Sequence, residues 1–536
     1  MFPEIDGVFS RWDRDDSPGC ALAVVRAGAI VHARGYGMAD LEHGIPITPG
    51  SVFHAASLSK QFTAASIVLL LLRGAISLDD PVRMYVPELP LVGRDITIRH
   101  LIHHTSGLRD QWNALVLAGF RFSEDVIRDE DVMHWVSRMR ELNFAPGDMA
   151  MYCNTGYTLL AHIVQSVSSM TLREFTDAEI FQPLGMASTH FRDDHREIVK
   201  NIAYGYEASP RGGWRASLPH LDVVGASGLV TTVEDLARWD ANFYTPRVGG
   251  EAMVRQMMQP FRLNNGEEIE YRFGLRAARY RGLPIVEHAG ADAGYRAQFT
   301  RFPEQRVSVI CLCNMTVRPQ EWVNTVADTV LKLPKQKSVS EKPIAENVES
   351  RAGLYWNSAN EEIRRIRYAG GQLTLLAEGR EVALVALGAG RFKIDALSED
   401  QCPMGELVFE GDEILPPPPG LVAIGAPGQF RRVTEAAPTT AESREYAGVY
   451  YCDELETQLR VELRGDALAL LQRKFAPAPM VPTFTDAFVV FVPQQFTSVT
   501  QSHLRFERGE DDRITGLRFT NLRIRGYWFA RVNPPG

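Results

Sequence analysis

The sequence predicts a multidomain chain. An α/β unit, an antiparallel sheet flanked by helices with a helical region in its middle, precedes two related β units, each a small antiparallel barrel or sandwich. Three observations carry this. At 536 residues the chain is too long for one core, which sets a prior of two to four domains. Apolar β runs open and close the first 330 or so residues, with helical periodicities between them, so strands from both ends meet in one sheet. Beyond residue 347 only short β runs with Gly, Asp and Pro turns remain, and they repeat. The expected boundaries are 1–332 for the α/β unit, 333–347 for a linker, and 348–434 and 443–533 for the two β units.

In chain order, a short amphipathic helix is expected over 5–12. Runs at 19–25 and 30–37 flank Arg26-Ala27-Gly28, a hairpin signal. Residues 61–72 form a helix that is apolar almost all round and therefore buried. A Pro- and Gly-punctuated stretch leads to a short helix at 98–104, which ends in Thr105-Ser106-Gly107-Leu108. Helices near 125–140, 157–167 and 172–181 make the middle mostly α. Thr232 reads as the N-cap of another helix, with Asp235 near the capping-box position. The β pattern returns at 273–280, 284–288, 295–302 and 307–313, and a last helix covers 321–331. The polar stretch 332–347 holds half of the chain's eight lysines and is the linker. In the repeat, Ala352-Gly353-Leu354-Tyr355 returns 95 residues on as Ala447-Gly448-Val449-Tyr450. Arg365-Ile366 matches Arg460-Val461, and Leu373-x-Leu375-Leu376 matches Leu468-x-Leu470-Leu471. The units end alike, in Phe430-Arg-Arg-Val433 and Phe529-Ala-Arg-Val532, with 434–443 between them.

Composition narrows the function. A net charge of −9 and a pI near 5.9, with no basic block, argue against nucleic acid as a partner. Met1-Phe2-Pro3-Glu4-Ile5-Asp6 has neither a positive n-region nor an apolar h-region, and no apolar run is long enough to span a bilayer. No membrane association and a cytoplasmic location are expected. The six cysteines, at 20, 153, 311, 313, 402 and 452, lack zinc-like spacing, and Cys311-x-Cys313 is an alternating strand pair. Free thiols in a reducing compartment follow.

Chemistry concentrates at Ser57-Leu58-Ser59-Lys60. Ser57 sits at the start of the apolar helix and Lys60 one turn on, on the same face. A serine hydroxyl needs a neighbour to take its proton, and a lysine can do so only when burial lowers its pKa. A Ser three residues before a Lys also arises by chance. Here, however, eight lysines stand against 49 arginines, and only Lys60 has Ser at that spacing. Arginine cannot be deprotonated, so a chain that writes nearly every cation as Arg has kept Lys where a base is useful. Tyr152 can shuttle a proton beside an ammonium, and Asn154 can orient Lys60 while donating to a substrate carbonyl. The plainer reading of the two is a packing Tyr and a helix-capping Asn. His288-Ala289-Gly290 ends a β run. Gly290 allows a substrate backbone close approach, and the Ala291 N–H would join that of Ser57 as a second oxyanion donor. His103-His104 reads as packing around the 105–107 turn, and Trp12, Trp112 and Trp239 as core or cleft lining. No spacing such as His-Glu-x-x-His suggests a metal.

Ser-x-x-Lys, Tyr-x-Asn and His-x-Gly, at 57, 152 and 288 in that order, resemble the penicillin-recognising serine hydrolases: class C β-lactamases, serine DD-peptidases and their esterase relatives. Ser57-Leu-Ser-Lys-Gln-Phe-Thr63, Ser106-Gly-Leu-Arg-Asp-Gln-Trp112, Tyr152-Cys-Asn154, Asp453-Glu-Leu455 and Ile514-Thr-Gly-Leu517 are similar to the bacterial D-aminopeptidases. That resemblance implies a β-lactamase-like domain followed by two eight-stranded β-barrels. It implies a serine hydrolase working through an acyl-enzyme. Ser57 would be the nucleophile, with Lys60 and Tyr152 moving the proton. Tyr152 or His288 would assist the leaving group, Asn154 would position Lys60 and substrate, and Gly290 and Ala291 would line the oxyanion site. The expected substrate is a small molecule or short peptide, with no metal or organic cofactor, and a homodimer is compatible with the reading. D-amino-acid amides and peptides rank first as substrates, a carboxylesterase second, and a weak DD-peptidase or β-lactamase after these. A non-catalytic ligand- or partner-binding protein is the alternative of another class, and the intact quartet Ser57, Lys60, Tyr152 and Asn154 counts against it.

Two departures from the family pattern shape the expectation. Where penicillin-hydrolysing relatives carry Lys-Thr-Gly, this chain has His288-Ala289-Gly290, so a substrate carboxylate loses a cation and a hydroxyl there. In the D-aminopeptidases a loop of the third domain brings an acidic contact for the substrate's amino group. The corresponding stretch here, 493–503, contains no Asp or Glu, and Gln494, Gln495, Thr497, Ser498, Thr500 and Gln501 make it polar and uncharged.

Overall fold

The computed structural model describes residues 3–122, 124–334, 348–358, 361–377, 380–388, 390–394, 406–415, 429–493, 499–521 and 523–532. The first domain is organised by a six-stranded antiparallel sheet: β1 (Cys20–Arg26), β2 (Ala29–Tyr36), β3 (Arg276–Tyr280), β4 (Leu283–Asp292), β5 (Tyr295–Phe302) and β6 (Val307–Cys313), in the order β3-β4-β5-β6-β1-β2. The two ends of the domain meet where β1 pairs with β6, from Cys20↔Cys313 to Arg26↔Val307. The β1–β2 turn takes Ala27 and Gly28 at positive φ, the backbone that matches the strands' right-handed twist.

Cys20 to Val25 of β1 are all buried, because both faces of the sheet are covered. The helices Pro3–Phe9 and Pro319–Leu331 seal one face. On the other lies the Ser59–Leu72 helix, buried from Ser59 to Leu70 and packed against the helices Asn154–Ser168, Leu172–Thr176 and Gly250–Met257. Trp112 and Trp239 are core residues, and Trp239 Nε1 donates to Gln61 Oε1 at 3.1 Å. Thr232 caps its helix as expected, accepting from the Asp235 N–H.

Several elements differ in extent from the sequence expectation. The first helix stops at Phe9, and Trp12 beyond it packs edge-on to Trp214 and near Trp322. The 125–140 helix shrinks to Asp129–Ser137, because Ile127–Arg128 is drawn off to pair with Leu221–Asp222. The helix expected from 157 begins at Asn154. β3 begins only at Arg276, since Gly274 turns the chain at a φ of +68°. The β run expected to end at His288 continues to Asp292, where Ala293 and Gly294 close a two-residue hairpin with β5.

After residue 347 the chain forms two closed eight-stranded antiparallel barrels, between Gly353 and Val433 and between Gly448 and Val532. The repeated motifs are the seams of these barrels. Tyr355 and Tyr450 are fully buried, and each hydroxyl donates to the carbonyl four residues back, Arg351 O at 2.9 Å and Tyr446 O at 2.7 Å. Each faces an arginine on the closing strand, Tyr355↔Arg432 and Tyr450↔Arg531. Those arginines reach back to the carbonyls of Ala352 and Ala447 at 3.0 and 2.8 Å. A charged donor satisfying an edge carbonyl at the first and last strand explains why Ala-Gly-x-Tyr and x-Arg-Val recur together. Between the barrels, part of the 434–443 separator folds into the helix Thr440–Tyr446, capped by Thr439.

The second barrel docks directly on the first domain. Fully buried Arg109 donates to both oxygens of Glu454 at 3.1 Å and to Arg525 O at 2.8 Å, with its guanidinium 4.0 Å from the centre of the Tyr527 ring. Trp135 Nε1 donates to Tyr527 Oη at 3.0 Å, and Gln472 Nε2 donates to Leu117 O at 3.1 Å. Buried apolar residues of this barrel and of the first domain form one contiguous cluster. Among the described residues, no helix is long and apolar enough to cross a membrane.

Candidate active site

Ser57 lies in the 3₁₀ turn Ala56–Leu58, which runs straight into the Ser59–Leu72 helix. Ala56 is held at a φ of +49°, a left-handed conformation that costs a Cβ-bearing residue energy. Its neighbours hold it there. Ala55 N donates to Leu229 O at 2.8 Å, and Ser59 Oγ donates to Ala56 O at 2.5 Å while accepting from Leu229 N at 3.0 Å. The turn is a sharp corner that presents Ser57 at the head of a buried helix.

Lys60 is fully buried, and its Nζ lies 3.1 Å from Ser57 Oγ, 2.9 Å from Asn154 Oδ1 and 2.7 Å from Ala226 O. The last two partners can only accept. A neutral amine has two hydrogens, so these carbonyls use both and leave the lone pair for the Ser57 hydroxyl. Burial drives the Lys60 pKa well below that of a free lysine, and Arg523 pushes it the same way, against a smaller pull from Asp110. The ring faces of Tyr152 and Tyr157, 4.8 and 5.6 Å from Nζ, favour the ammonium but do not outweigh burial.

Asn154 does not cap its helix; Cys153 holds that position, and the Asn154 side chain faces Lys60. Its orientation is fixed from behind. Asp110 Oδ2 accepts from both Asn154 N and Asn154 Nδ2 at 2.8 Å, which turns Oδ1 toward Lys60. Burial, offset in part by Ser57 and Arg523, raises the Tyr152 pKa. Tyr152 therefore stays protonated at neutral pH, and of the two Lys60 is the group able to accept a proton. His104 does more than pack around its turn. Its ring lies 4.3 Å from that of Tyr152 and 4.4 Å from that of Tyr271, and its Nδ1 accepts from Cys153 N at 3.2 Å.

His288, Gly290 and Ala291 lie on β4, past the last residue paired with β3, so this edge of the strand is open and packs on the Ser57 turn. Asp292↔Tyr295 closes the two-residue hairpin as a hydrogen-bonded pair, and antiparallel alternation then directs the N–H groups of Ala289 and Ala291 to the open edge. A Cβ placed on Gly290 would stand 2.4 Å from Ala55 O, so only glycine lets the strand lie this close. Gly290→Ala is expected to cost about 2 kcal/mol by forcing backbone apart, read as a lower denaturation midpoint, and to slow acylation of Ser57. Unchanged stability and acylation would show that the contact yields freely.

His288 has both ring nitrogens engaged. Nδ1 lies 2.6 Å from Ala289 O, which can only accept, so the proton sits there; Nε2 then accepts from Tyr271 Oη at 3.0 Å. Burial, with Lys60 adding to it, pushes the His288 pKa down to about 3, so the ring is neutral across the physiological range.

Several residues at the site carried no recognised signal in the sequence. Ala226 contributes only a carbonyl. Ser227 Oγ donates to Asp292 Oδ2 at 2.8 Å, and His54 Nε2 lies 3.1 Å from Ser227 Oγ and 3.0 Å from Asp292 Oδ2, which braces the Ala226 loop against the β4–β5 hairpin. Asp110 stood in the sequence only within the Ser106–Trp112 stretch that carries the family resemblance, and in the structure it caps the helix Gln111–Leu117, which the sequence reading had not expected. From the second barrel comes the hairpin tip carrying Arg523, whose guanidinium lies 5.0 Å from the centre of the Tyr152 ring. Of the 493–503 stretch, residues 494–498 lie outside the described residues; Gln501 donates to Ile363 O of the first barrel at 3.0 Å. Among the described residues, two groups present metal-donor atoms within 4.8 Å of one another: Cys20, Cys311 and Cys313, fully buried, and Asp194, His195 and Asp222, half-buried. Neither includes a residue of the Ser57 cluster.

A buried Lys aimed at a Ser on a strained helix-entry turn, backed by an open strand edge, places this protein among the serine hydrolases of the β-lactamase fold. The Beta-lactamase family model matches residues 8–327, and the chain belongs to that family. A D-aminopeptidase of Gluconobacter oxydans (strain 621H) is 28% identical to it over 460 residues, 84% of this chain and 83% of that protein. A D-aminopeptidase of Cereibacter sphaeroides (strain ATCC 17023) is 26% identical over 523 residues, 96% of this chain and 95% of that protein, so the likeness runs through both barrels. Among solved structures, the octameric penicillin-binding protein homologue from Pyrococcus abyssi shares the fold, with a TM-score of 0.58 at 23% identity over 77% of this chain and 97% of that one.

Proposed function

We propose that this protein cleaves amide bonds of D-amino-acid amides or short D-amino-acid peptides through an acyl-enzyme on Ser57. The observation that carries the reading is the coordination of Lys60 Nζ, which commits two hydrogens to Asn154 Oδ1 and Ala226 O and leaves a lone pair 3.1 Å from Ser57 Oγ. The substrate class rests on the whole-length likeness to D-aminopeptidases.

Lys60 takes the Ser57 proton as Oγ attacks the scissile carbonyl. The oxyanion forms against the Ser57 N–H and the Ala291 N–H on the open edge of β4. Collapse breaks the C–N bond, and the proton on Lys60 reaches the leaving nitrogen through Tyr152, whose phenol stays protonated. Water then attacks the ester, gives its proton to Lys60 and releases the acid, with Ser57 regaining its hydrogen. His288, with both nitrogens occupied, holds Tyr271 in place and is a positioning residue in this scheme. Asn154, fixed by Asp110, keeps Nζ pointed at Ser57 and has a second N–H for a substrate carbonyl.

The test is covalent. A fluorophosphonate should add one phosphonyl group to the intact chain, mapped to Ser57, and hydrolysis of D-aminoacyl anilides should exceed that of their L-forms. Absence of labelling would leave a binding protein on this fold as the better reading. Labelling with faster turnover of short-chain esters than of any amide would make it a carboxylesterase.

A further inference from the structure

We propose that Arg523, supplied by the C-terminal barrel, binds a carboxylate of the substrate beside Tyr152, with Arg525 adding to the positive potential, so that of the substrates proposed above the short peptides, which carry a carboxylate, are bound in preference to the amides, which do not. The proposal rests on the acyl-enzyme reading only for the class of substrate it refines.

The second barrel's last two strands, Ile514–Asn521 and Ile524–Val532, form a hairpin whose closing pair is Asn521↔Ile524, which puts Arg523 at the tip. The tip is pinned to the first domain by its backbone. Asp110 N donates to Arg523 O at 3.3 Å, Asn143 Nδ2 donates to the same oxygen at 2.9 Å, and Arg525 N donates to Asn143 Oδ1 at 2.8 Å. Arg523 and Arg525, two residues apart, both turn their side chains to the segment that carries Tyr152. The Arg523 guanidinium lies over the Tyr152 ring, and Arg525 lies 6.0 Å from the centre of the Phe144 ring, with Nη1 4.0 Å from Met149 Sδ.

These cations are under-compensated. The Arg523 side chain is 19% exposed, and its nearest carboxylate oxygen, Asp110 Oδ2, is 3.9 Å away, beyond hydrogen-bond range. Asp110 has little left to offer, because it already accepts from Trp112 N, Asn113 N, Asn154 N and Asn154 Nδ2. Among the described residues, Arg523 Nε is buried with no hydrogen-bond partner. Arg525 is 9% exposed, and its Nη2 is likewise buried and unpartnered. Burial lowers the Arg525 pKa to about 10, with Glu362 offsetting only part of it. A chain of net charge −9 has thus set Arg523, with an unmade hydrogen bond, over the Tyr152 ring, and Arg525 beside Phe144 and Met149 of the same segment. A planar donor fork with free N–H groups matches a carboxylate in shape and charge. A substrate ammonium would instead meet like charge here.

The experiment is calorimetric titration of the full chain with N-acetyl-D-alanine and with its amide, which differ only in the carboxylate. The carboxylate should bind wild type about 30-fold more tightly than the amide, the range of a charged hydrogen-bonded pair. In R523Q the preference should fall to within about threefold, and R523K, which keeps the charge, should restore part of it. Equal binding of the two compounds by wild type, a preference that survives in R523Q, or no measurable binding of the carboxylate each overturns the proposal. Binding needs no turnover, so this result is read independently of Ser57 labelling. A melting temperature for R523Q equal to that of wild type excludes loss of the barrel docking as the cause.

Discussion

Ser57→Ala is expected to abolish turnover, with kcat falling by ~10⁴-fold or more, while the melting temperature stays that of wild type. The size follows from the site's construction. Without the Ser57 oxygen no acyl-enzyme forms, so Lys60, Asn154 and Tyr152 have no reaction left to assist. Stability should hold because Lys60 keeps its bonds to Asn154 Oδ1 and Ala226 O. The strained Ala56 turn is tied by backbone groups and by Ser59, none of which the substitution touches. The check is steady-state hydrolysis of a D-aminoacyl anilide beside a thermal melt. Activity within tenfold of wild type at an unchanged melting temperature would remove Ser57 as nucleophile.

Lys60→Arg should be nearly as severe, a loss of at least ~10³-fold, although it keeps the charge. Arginine cannot present a lone pair, and its larger head must fit a fully buried site built around three short contacts. Lys60→Met serves as a control of similar length without charge, and it too should be inactive. The pH profile separates a base from a mere cation. With the neutral amine as the active form, protonation on the acid side removes activity, so the rate should rise with pH. Burial and Arg523 lower the Lys60 pKa, so the rise should be centred well below the roughly 10.4 of a free lysine. An active Arg variant, or a rate that falls as pH rises from acid to neutral, would place the base elsewhere.

How much of this was legible in the sequence depended on how local the signal was. Ser57 and Lys60 are one helical turn apart, so their meeting follows from helix geometry alone. The sheet of strands from both ends, the buried Ser59–Leu72 helix and the Thr232 cap were readable for the same reason: periodicity and capping are properties of short stretches. The barrel repeat was visible because each copy needs the same Tyr and Arg to close its seam. The resemblance of the three spaced motifs pointed to the family that the comparisons established.

Other features had no local signature. The β run at His288 was cut short because Ala289-Gly290-Ala291 lacks β-branched side chains; its pairing with β5 and the hairpin at Ala293-Gly294 carry it to Asp292. Asn154 taken alone read more plainly as a cap, and its Lys60 role prevailed only with the family resemblance, because its partner Asp110 lies 44 residues away. Cys20 could not be joined to Cys311 and Cys313 until β1 paired with β6.

The sequence by itself determined the Ser57–Lys60 pairing, the layout of an α/β domain followed by two β units, and the absence of a Lys-Thr-Gly strand. Only the tertiary structure decided what surrounds that pair: the Ala226 carbonyl that takes one Lys60 hydrogen, the Asp110 that turns Asn154, and the Arg523 that a barrel more than 300 residues downstream lays over Tyr152. Hydrogen bonds and charge interactions act through space over a few ångströms, whereas sequence patterns report only neighbours within a turn of helix or a strand pair. A backbone carbonyl belongs to every residue type, so its role in a site leaves no trace in the sequence.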